Sequence, residues 1–247
     1  MPRSRGRDGK DEAVSILSAL RLALAQLGDP AFRRVFLLGL VLSALVFLLV
    51  FALLLALVPL IPESGIGWLD TAIDWAAGLS LFPLFLLTLW LLFPAVMTGV
   101  MSLFLDRIVD AVEAAHYGDA RGGRHSPLYE AVWLAVRLSL LVILFNLLAL
   151  PFYLVLLFTG FGTLVLYLGI NGYLMGREYY EMVAVRHGGL REAARWRRGR
   201  KGDTLMAGIV IAALFMVPLV NLAAPVIGAA MMTHLFHGAR RRAAPAP

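Results

Sequence analysis

The placement of positive charge constrains this chain more than any other feature. Four long segments contain no Asp, Glu, Lys or Arg: Val35 to Pro62, Trp75 to Leu105, Leu138 to Gly176 and Thr204 to Gly238. All 22 Lys and Arg residues fall outside them. Seven precede Val35, four lie from Arg107 to Arg137, eight from Arg177 to Lys201, and three from Arg240 to Arg242. The stretch from Glu63 to Asp74 has none and carries Glu63, Asp70 and Asp74. Basic flanks mark the cytoplasmic side of a membrane segment. The expectation is an integral membrane protein with the 63–74 loop outside and both termini in the cytoplasm.

A chain that is 60% hydrophobic and 15% charged is too apolar for a soluble domain of this size. The net charge of +6 has a sufficient cause in topology and attraction to anionic lipid headgroups. With no separate basic domain, nucleic acid is not an expected partner. Zero cysteines exclude disulfides and thiolate metal ligands. The apolar stretch Ala13 to Leu27 is short and interrupted by Arg21, which argues against a cleaved signal peptide.

Segment length sets the architecture, because a crossing takes about 20 residues and two crossings with a turn more than about 40. Val35 to Pro62 and Trp75 to Leu105, at 28 and 31 residues, each fit one crossing. Pro83 and Pro94 are expected to bend the second. Leu138 to Gly176 and Thr204 to Gly238, at 39 and 35 residues, must enter and leave on the basic side. Each is too long for one crossing and short for two. Gly160-Phe161-Gly162 breaks the first of them, and Pro218 and Pro225 break the second. The fold expected is therefore all-α: two transmembrane helices, two re-entrant helical hairpins and amphipathic cytoplasmic helices. Two complete hairpins, giving six crossings, are the alternative. Re-entrant turns must be buried in protein or line a wet cavity, so a homo-oligomer is expected. Residues 1–10 read as a basic tail, 11–238 as one membrane domain and 239–247 as a second basic tail.

Asp11 to Leu27 carries apolar residues at helical spacing and reads as a helix lying on the cytoplasmic leaflet. Gly28-Asp29-Pro30 ends it and starts the next. Asp106, Asp110, Glu113 and Tyr117 share a helical face, so the second crossing is expected to run on as an amphipathic helix to about Gly118. Arg121-Gly-Gly-Arg124 reads as a loop.

Several residues stand out chemically. Arg33 and Arg34 fall in the first turn of the first crossing, where free N–H groups and two guanidiniums suit a tetrahedral oxyanion. Topology anchoring at the interface is the plainer role. Asn221, between Pro218 and Pro225, falls where unpaired carbonyls would line a path. Interhelical hydrogen bonding by Asn146, Asn171 and Asn221 is the other reading. Arg177 and Glu181, four apart, read as an ion pair at the membrane edge or as a gate. Glu113-x-x-His116 has no second copy, so it reads as a solvated face rather than a di-iron helix. His234 and His237 have no carboxylate nearby in sequence and read as interfacial, so no metal or other cofactor is expected. The phosphate-binding loop, nucleophile-elbow and His-Glu-x-x-His signatures are absent, and an enzyme is not expected. No acid lies inside an apolar segment, which leans toward channel-like permeation.

These residues also carry a family resemblance. Asp29-Pro30-Ala31-Phe32-Arg33-Arg34, Phe104 to Glu113 with His116-Tyr117, Asn171 to Glu181, and Pro218 to Ala230 resemble the CysZ / etoposide-induced-protein family. The likeness runs from about Leu20 to His237. It implies two crossings followed by two partly inserted hairpins. It also implies sulfate permeation across the bacterial inner membrane, with sulfate held at a Gly-hydrophobic-Arg motif opening the first crossing. Phe32, Arg33 and Arg34 match that motif, and Ala31 replaces its glycine. A methyl group there hinders close approach of an anion to the backbone. On this reading Arg33 and Arg34 bind substrate with Phe32, and Asn221, Pro218, Pro225, Arg177 and Glu181 belong to a path or gate. A non-transporting membrane scaffold or lipid-organising protein is the alternative function.

Overall fold

A computed structural model describes residues 14–57, 65–118, 123 and 127–243. Eight α-helices account for nearly all of them: α1 Ile16–Ala25, α2 Pro30–Leu57, α3 Gly67–Ser102, α4 Leu105–His116, α5 Leu128–Leu156, α6 Gly162–Arg198, α7 Lys201–Met216 and α8 Val220–Ala243. Contacts divide them into two compact units. One is Arg33–Phe104; the other combines the chain up to Phe32 with Leu105 onward. The Arg121–Arg124 loop reading, Glu63 and both terminal tails up to residue 13 and beyond 243 fall largely outside the described residues.

The first unit is an antiparallel pair made of α2 and α3. Gly39 faces Met101, Ser43 Oγ lies 3.7 Å from Met97 Sδ, and Phe47 and Phe51 meet Phe93 and Phe85 at centroid distances of 5.9 and 4.4 Å. Partners advance by about a turn at a time on α2 while retreating by one or two turns on α3, as an out-and-back hairpin requires. Only glycine fits at position 39, because a Cβ there would stand 2.6 Å from Met101 Cγ. α3 is 36 residues long and continuous through Pro83 and Pro94. It begins at Gly67, so Asp70 and Asp74 belong to its first turns and not to a loop. The chain turns at Leu103–Phe104, which separates α3 from α4; the single continuous helix expected there is two.

In the second unit α8 is the centre, with α1, α4, α6 and α7 packed around it, while α5 pairs with α6. α6 and α7 approach at backbone distance. A Cβ on Gly208 would collide with the carbonyl of Gly172 and the backbone of Gly176, and one on Gly176 would collide with the Thr204 carbonyl. Small residues at four-residue spacing permit this close approach between helices. α6 continues past the apolar segment to Arg198, bent at Gly189, whose φ of 70° few other residues adopt. Gly160, with φ 75°, closes the turn between α5 and α6. Between α7 and α8 the chain breaks at Val217–Leu219, and Leu219 takes φ 67°, a costly value for a side chain bearing Cβ.

Among the described residues three helices are long and apolar enough to cross a membrane: Pro30–Ala56, Val132–Thr159 and Val220–Arg242. The first two have mean hydropathies of 3.0 and 2.7 with only 17% and 6% of their windows buried in protein. Leaving that much apolar surface against water is untenable at about 25 cal/mol per Å², and lipid removes the cost. The chain is an all-α membrane protein. The third helix differs, because 83% of its window is covered by neighbouring helices.

Candidate functional site

The site residues expected from sequence fall into three places. Arg33 and Arg34 are exposed on the first turns of α2. Among the described residues no hydrogen bond or salt bridge engages either one. Asp29, just before Pro30, is extended with ψ 144° and is exposed, so its carboxylate stands at the same helix start. The side chain of Phe32 is buried, which leaves its backbone N–H as its means of contacting a ligand.

The second place is the α7–α8 break. Pro218 is exposed, Asn221 half-buried and Pro225 buried. The Asn221 N–H donates to Val217 O at 2.9 Å. Pro225 lies inside the continuous α8 and is not the break expected there; having no N–H, it leaves the Asn221 carbonyl without its partner one turn on. Asn146 and Asn171 donate to Val142 O and Tyr167 O of their own helices, at 2.8 and 3.0 Å. Neither bridges two helices.

The third place holds a buried ion cluster. Arg177 Nε lies 3.2 Å from Glu181 Oε1, as their four-residue spacing predicts. Arg197, from beyond the bend in α6, brings its Nε to 3.0 Å from the same oxygen. Two cations thus share one carboxylate, and Arg177 Nη2 is buried without a partner among the described residues. No hydrogen bond or ion pair among those residues joins this cluster to the α7–α8 break.

Glu113, His116, His234 and His237, read as solvated or interfacial from sequence, lie together in a polar cluster with Tyr117, Gln26 and His187. Glu113 is buried, not on a solvated face. Its Oε1 lies 2.8 Å from His187 Nε2 and 3.0 Å from His237 Nε2. Burial alone raises the Glu113 carboxyl; hydrogen bonding and charge from His187 and His237 outweigh that and bring it down to about 2. His234 is buried too, and neither it nor His237 is interfacial. Tyr117 Oη lies 2.9 Å from His234 Nδ1, His234 Nε2 lies 3.0 Å from Gln26 Oε1, and Gln26 Nε2 lies 3.1 Å from His116 Nδ1. Amide and hydroxyl donors fix one consistent direction: Tyr117 donates to Nδ1, the Nε2–H of His234 donates to the amide oxygen, and the amide nitrogen donates to His116. Burial raises the Tyr117 phenol above its usual range, opposed by Arg241, so it remains a donor. On α4, Asp106 and Asp110 both pair with Arg186 of α6.

A cavity of about 720 Å³ opens nearby, lined by Tyr180, Trp196 and three arginines, Arg195, Arg200 and Arg240. Asp203 is the acid in its wall, and Arg240 stacks on Trp196 at 5.3 Å. None of the residues expected from sequence lines it.

Comparison with known families decides the ancestry of this arrangement. Residues 19–225 match the family described as Sulfate transporter CysZ/Etoposide-induced protein 2.4. The chain belongs to that family. No curated protein and no solved structure matches it. The CysZ/etoposide-induced match includes α2 with Arg33 and Arg34, the Arg177–Glu181 pair and the α7–α8 break as far as Pro225. His234 and His237 lie beyond its end.

Proposed function

We propose that the protein is a bacterial inner-membrane permease for a tetrahedral oxyanion, sulfate first, channel-like and without an ATPase of its own. The observation that carries this reading is the exposed, unengaged pair Arg33 and Arg34 on the first turns of α2, in a chain of the CysZ/etoposide-induced family. Two guanidiniums and the free N–H groups of Ala31 and Phe32 offer charge and hydrogen-bond donors to one anion. Asp29 opposes them with one negative charge and sets a net charge of +1 at the helix start.

The length of α7 supports partial insertion of the last segment. α7 has 16 residues, about 24 Å of helix against a core of about 30 Å. The freed Asn221 carbonyl, just after the Val217–Leu219 break, then supplies a polar wall to a path, with Arg177 and Glu181 toward its basic end. Both termini lie on the cytoplasmic side with the 22 basic residues. A homo-oligomer covers the polar turns that one chain leaves bare.

The test is uptake of labelled sulfate into liposomes holding the purified protein, beside Arg33→Ala/Arg34→Ala and Arg33→Lys/Arg34→Lys double variants. Uptake is expected in the wild type, lost in the alanine variant and partly kept in the lysine variant, which retains charge but not the planar fork. A wild type that passes no sulfate, where an authentic sulfate permease does, overturns the sulfate assignment. Full uptake by the alanine variant overturns the site.

A further inference from the structure

We propose that Glu113, His187 and His237 form a binding site for a first-row divalent transition metal, zinc by preference, which clamps α4, α6 and α8 together. Each helix supplies one ligand. The three ligand atoms, Glu113 Oε1 and the two Nε2 atoms, lie within 4.8 Å of one another. Both rings aim the same nitrogen at the same carboxylate oxygen, at 2.8 and 3.0 Å. Tetrahedral zinc bonded at about 2.0–2.2 Å holds its ligand atoms about 3.3 Å apart. The two oxygen–nitrogen distances therefore need to open by only a few tenths of an ångström, with the two nitrogens within 4.8 Å of each other.

The surroundings fit an ion better than solvent. The side chains of His187, Glu113 and His237 are 3%, 3% and 2% exposed. Tyr117 stacks on His237 with centroids 4.5 Å apart, and Phe236 stacks on His187 at 5.1 Å, so both rings are held in place. Buried ionised carboxylates are paired or coordinate metals. Glu113 is the one carboxylate in the cluster, and a divalent cation bound at its Oε1 compensates its charge. Other nearby acids are taken: Asp106 and Asp110 both pair with Arg186. Two imidazoles and one carboxylate suit zinc, and they leave a fourth position for water or another small ligand.

The experiment uses the full-length protein, purified in detergent without a polyhistidine tag and stripped with chelator. Zinc is titrated by calorimetry and cobalt(II) by visible absorption, in the wild type and in His187→Gln, His237→Gln and His116→Gln/His234→Gln variants. One equivalent of zinc and the strong visible bands of tetrahedral cobalt are expected in the wild type and in His116→Gln/His234→Gln. A loss of about a hundredfold or more in affinity is expected in His187→Gln and in His237→Gln, each short of one of three ligands. Zinc is also expected to raise the unfolding temperature of the wild type but not of those two variants, because a ligand that binds only the folded state stabilises it. Absence of zinc and cobalt binding by the wild type overturns the proposal. So does wild-type affinity in both His187→Gln and His237→Gln, which would place the metal elsewhere. If those two variants do not fold, the wild-type cobalt spectrum decides: tetrahedral bands at one equivalent, retained in His116→Gln/His234→Gln, uphold the site, and their absence overturns it.

Discussion

The hydroxyl of Tyr117 lies 2.9 Å from Nδ1 of His234, joining α4 to the helix at the centre of the larger unit. That bond sets the His234 tautomer, because Nδ1 accepts and Nε2 is left to donate to Gln26 of the segment just after α1. Tyr117→Phe removes the donor and strands a buried ring nitrogen. The expected cost is about 1–2 kcal/mol. Thermal unfolding in detergent should show a lower midpoint with helix content unchanged; an unaltered midpoint would mean that the bond contributes nothing net.

The glycine contact between α6 and α7 makes a sharper prediction. Gly208→Ala places a methyl group into the backbone of Gly172 and Gly176, which has no flexible end to move aside. The helices must separate, at a cost of at least about 1–3 kcal/mol. Gly99→Ala is the internal control, since nothing lies within 4 Å of its added Cβ. There the change should be neutral or slightly stabilising, by up to about 1 kcal/mol, as a helix interior prefers Ala. Equal unfolding midpoints for the two variants would refute the close packing.

Arg177 and Arg197 share the buried carboxylate of Glu181. Glu181→Gln leaves two guanidiniums without an anion and should cost about 3–5 kcal/mol. Arg177→Met should cost less, because the Arg197–Glu181 pair at 3.0 Å survives it. The Arg177→Met/Glu181→Gln double variant should be more stable than Glu181→Gln alone, since one unpaired charge has been removed. A double-mutant cycle in denaturant reads this directly, and strict additivity would show that the pair is not coupled.

Single cysteines report the depth of the last two segments, since the chain has none of its own. Phe158 is a better label site than Gly160, because it is 90% exposed and avoids the φ of 75° that favours glycine. Partial insertion of both hairpins predicts that Cys at position 158 and at position 218 resist a membrane-impermeant thiol reagent applied from outside, while Cys at 68, where Trp68 stands exposed, reacts. Rapid outside labelling at 158 or 218 would establish a complete crossing for that segment.

The sequence made some of this legible and hid the rest for a physical reason. Runs such as Val35–Pro62 translate directly into α2, because helix length and membrane thickness are both local quantities. The Gly160 and Pro218 breaks, and the Arg177–Glu181 pair four residues apart, depend only on near neighbours and were equally plain. Along the sequence His237 has no carboxylate near it. Its partner Glu113 stands 124 residues away, and His187 is separated from Glu113 by 74. Spacing along one helix cannot report a convergence of three. One hint is present: His234 and His237 stand in the largely apolar part of α8 before Arg240, and such residues need a partner once buried.

The position of α8 has a consequence for how the protein is made. The α2–α3 hairpin finds its contacts within residues 33–104 and can be complete while the rest is still being synthesised. The larger unit cannot: its central helix, α8, follows all the helices that pack on it. Val14 at the beginning of the described chain packs against Gly238 near the end, where a Cβ would stand 2.6 Å from Val14 Cγ2. α1 must therefore wait, tethered to a finished hairpin, until α8 arrives to cover it. A nascent chain stalled before α8 would hold an anchored hairpin and five helices with no common centre. The 24 residues of α8 supply the surface on which the earlier helices of the unit close.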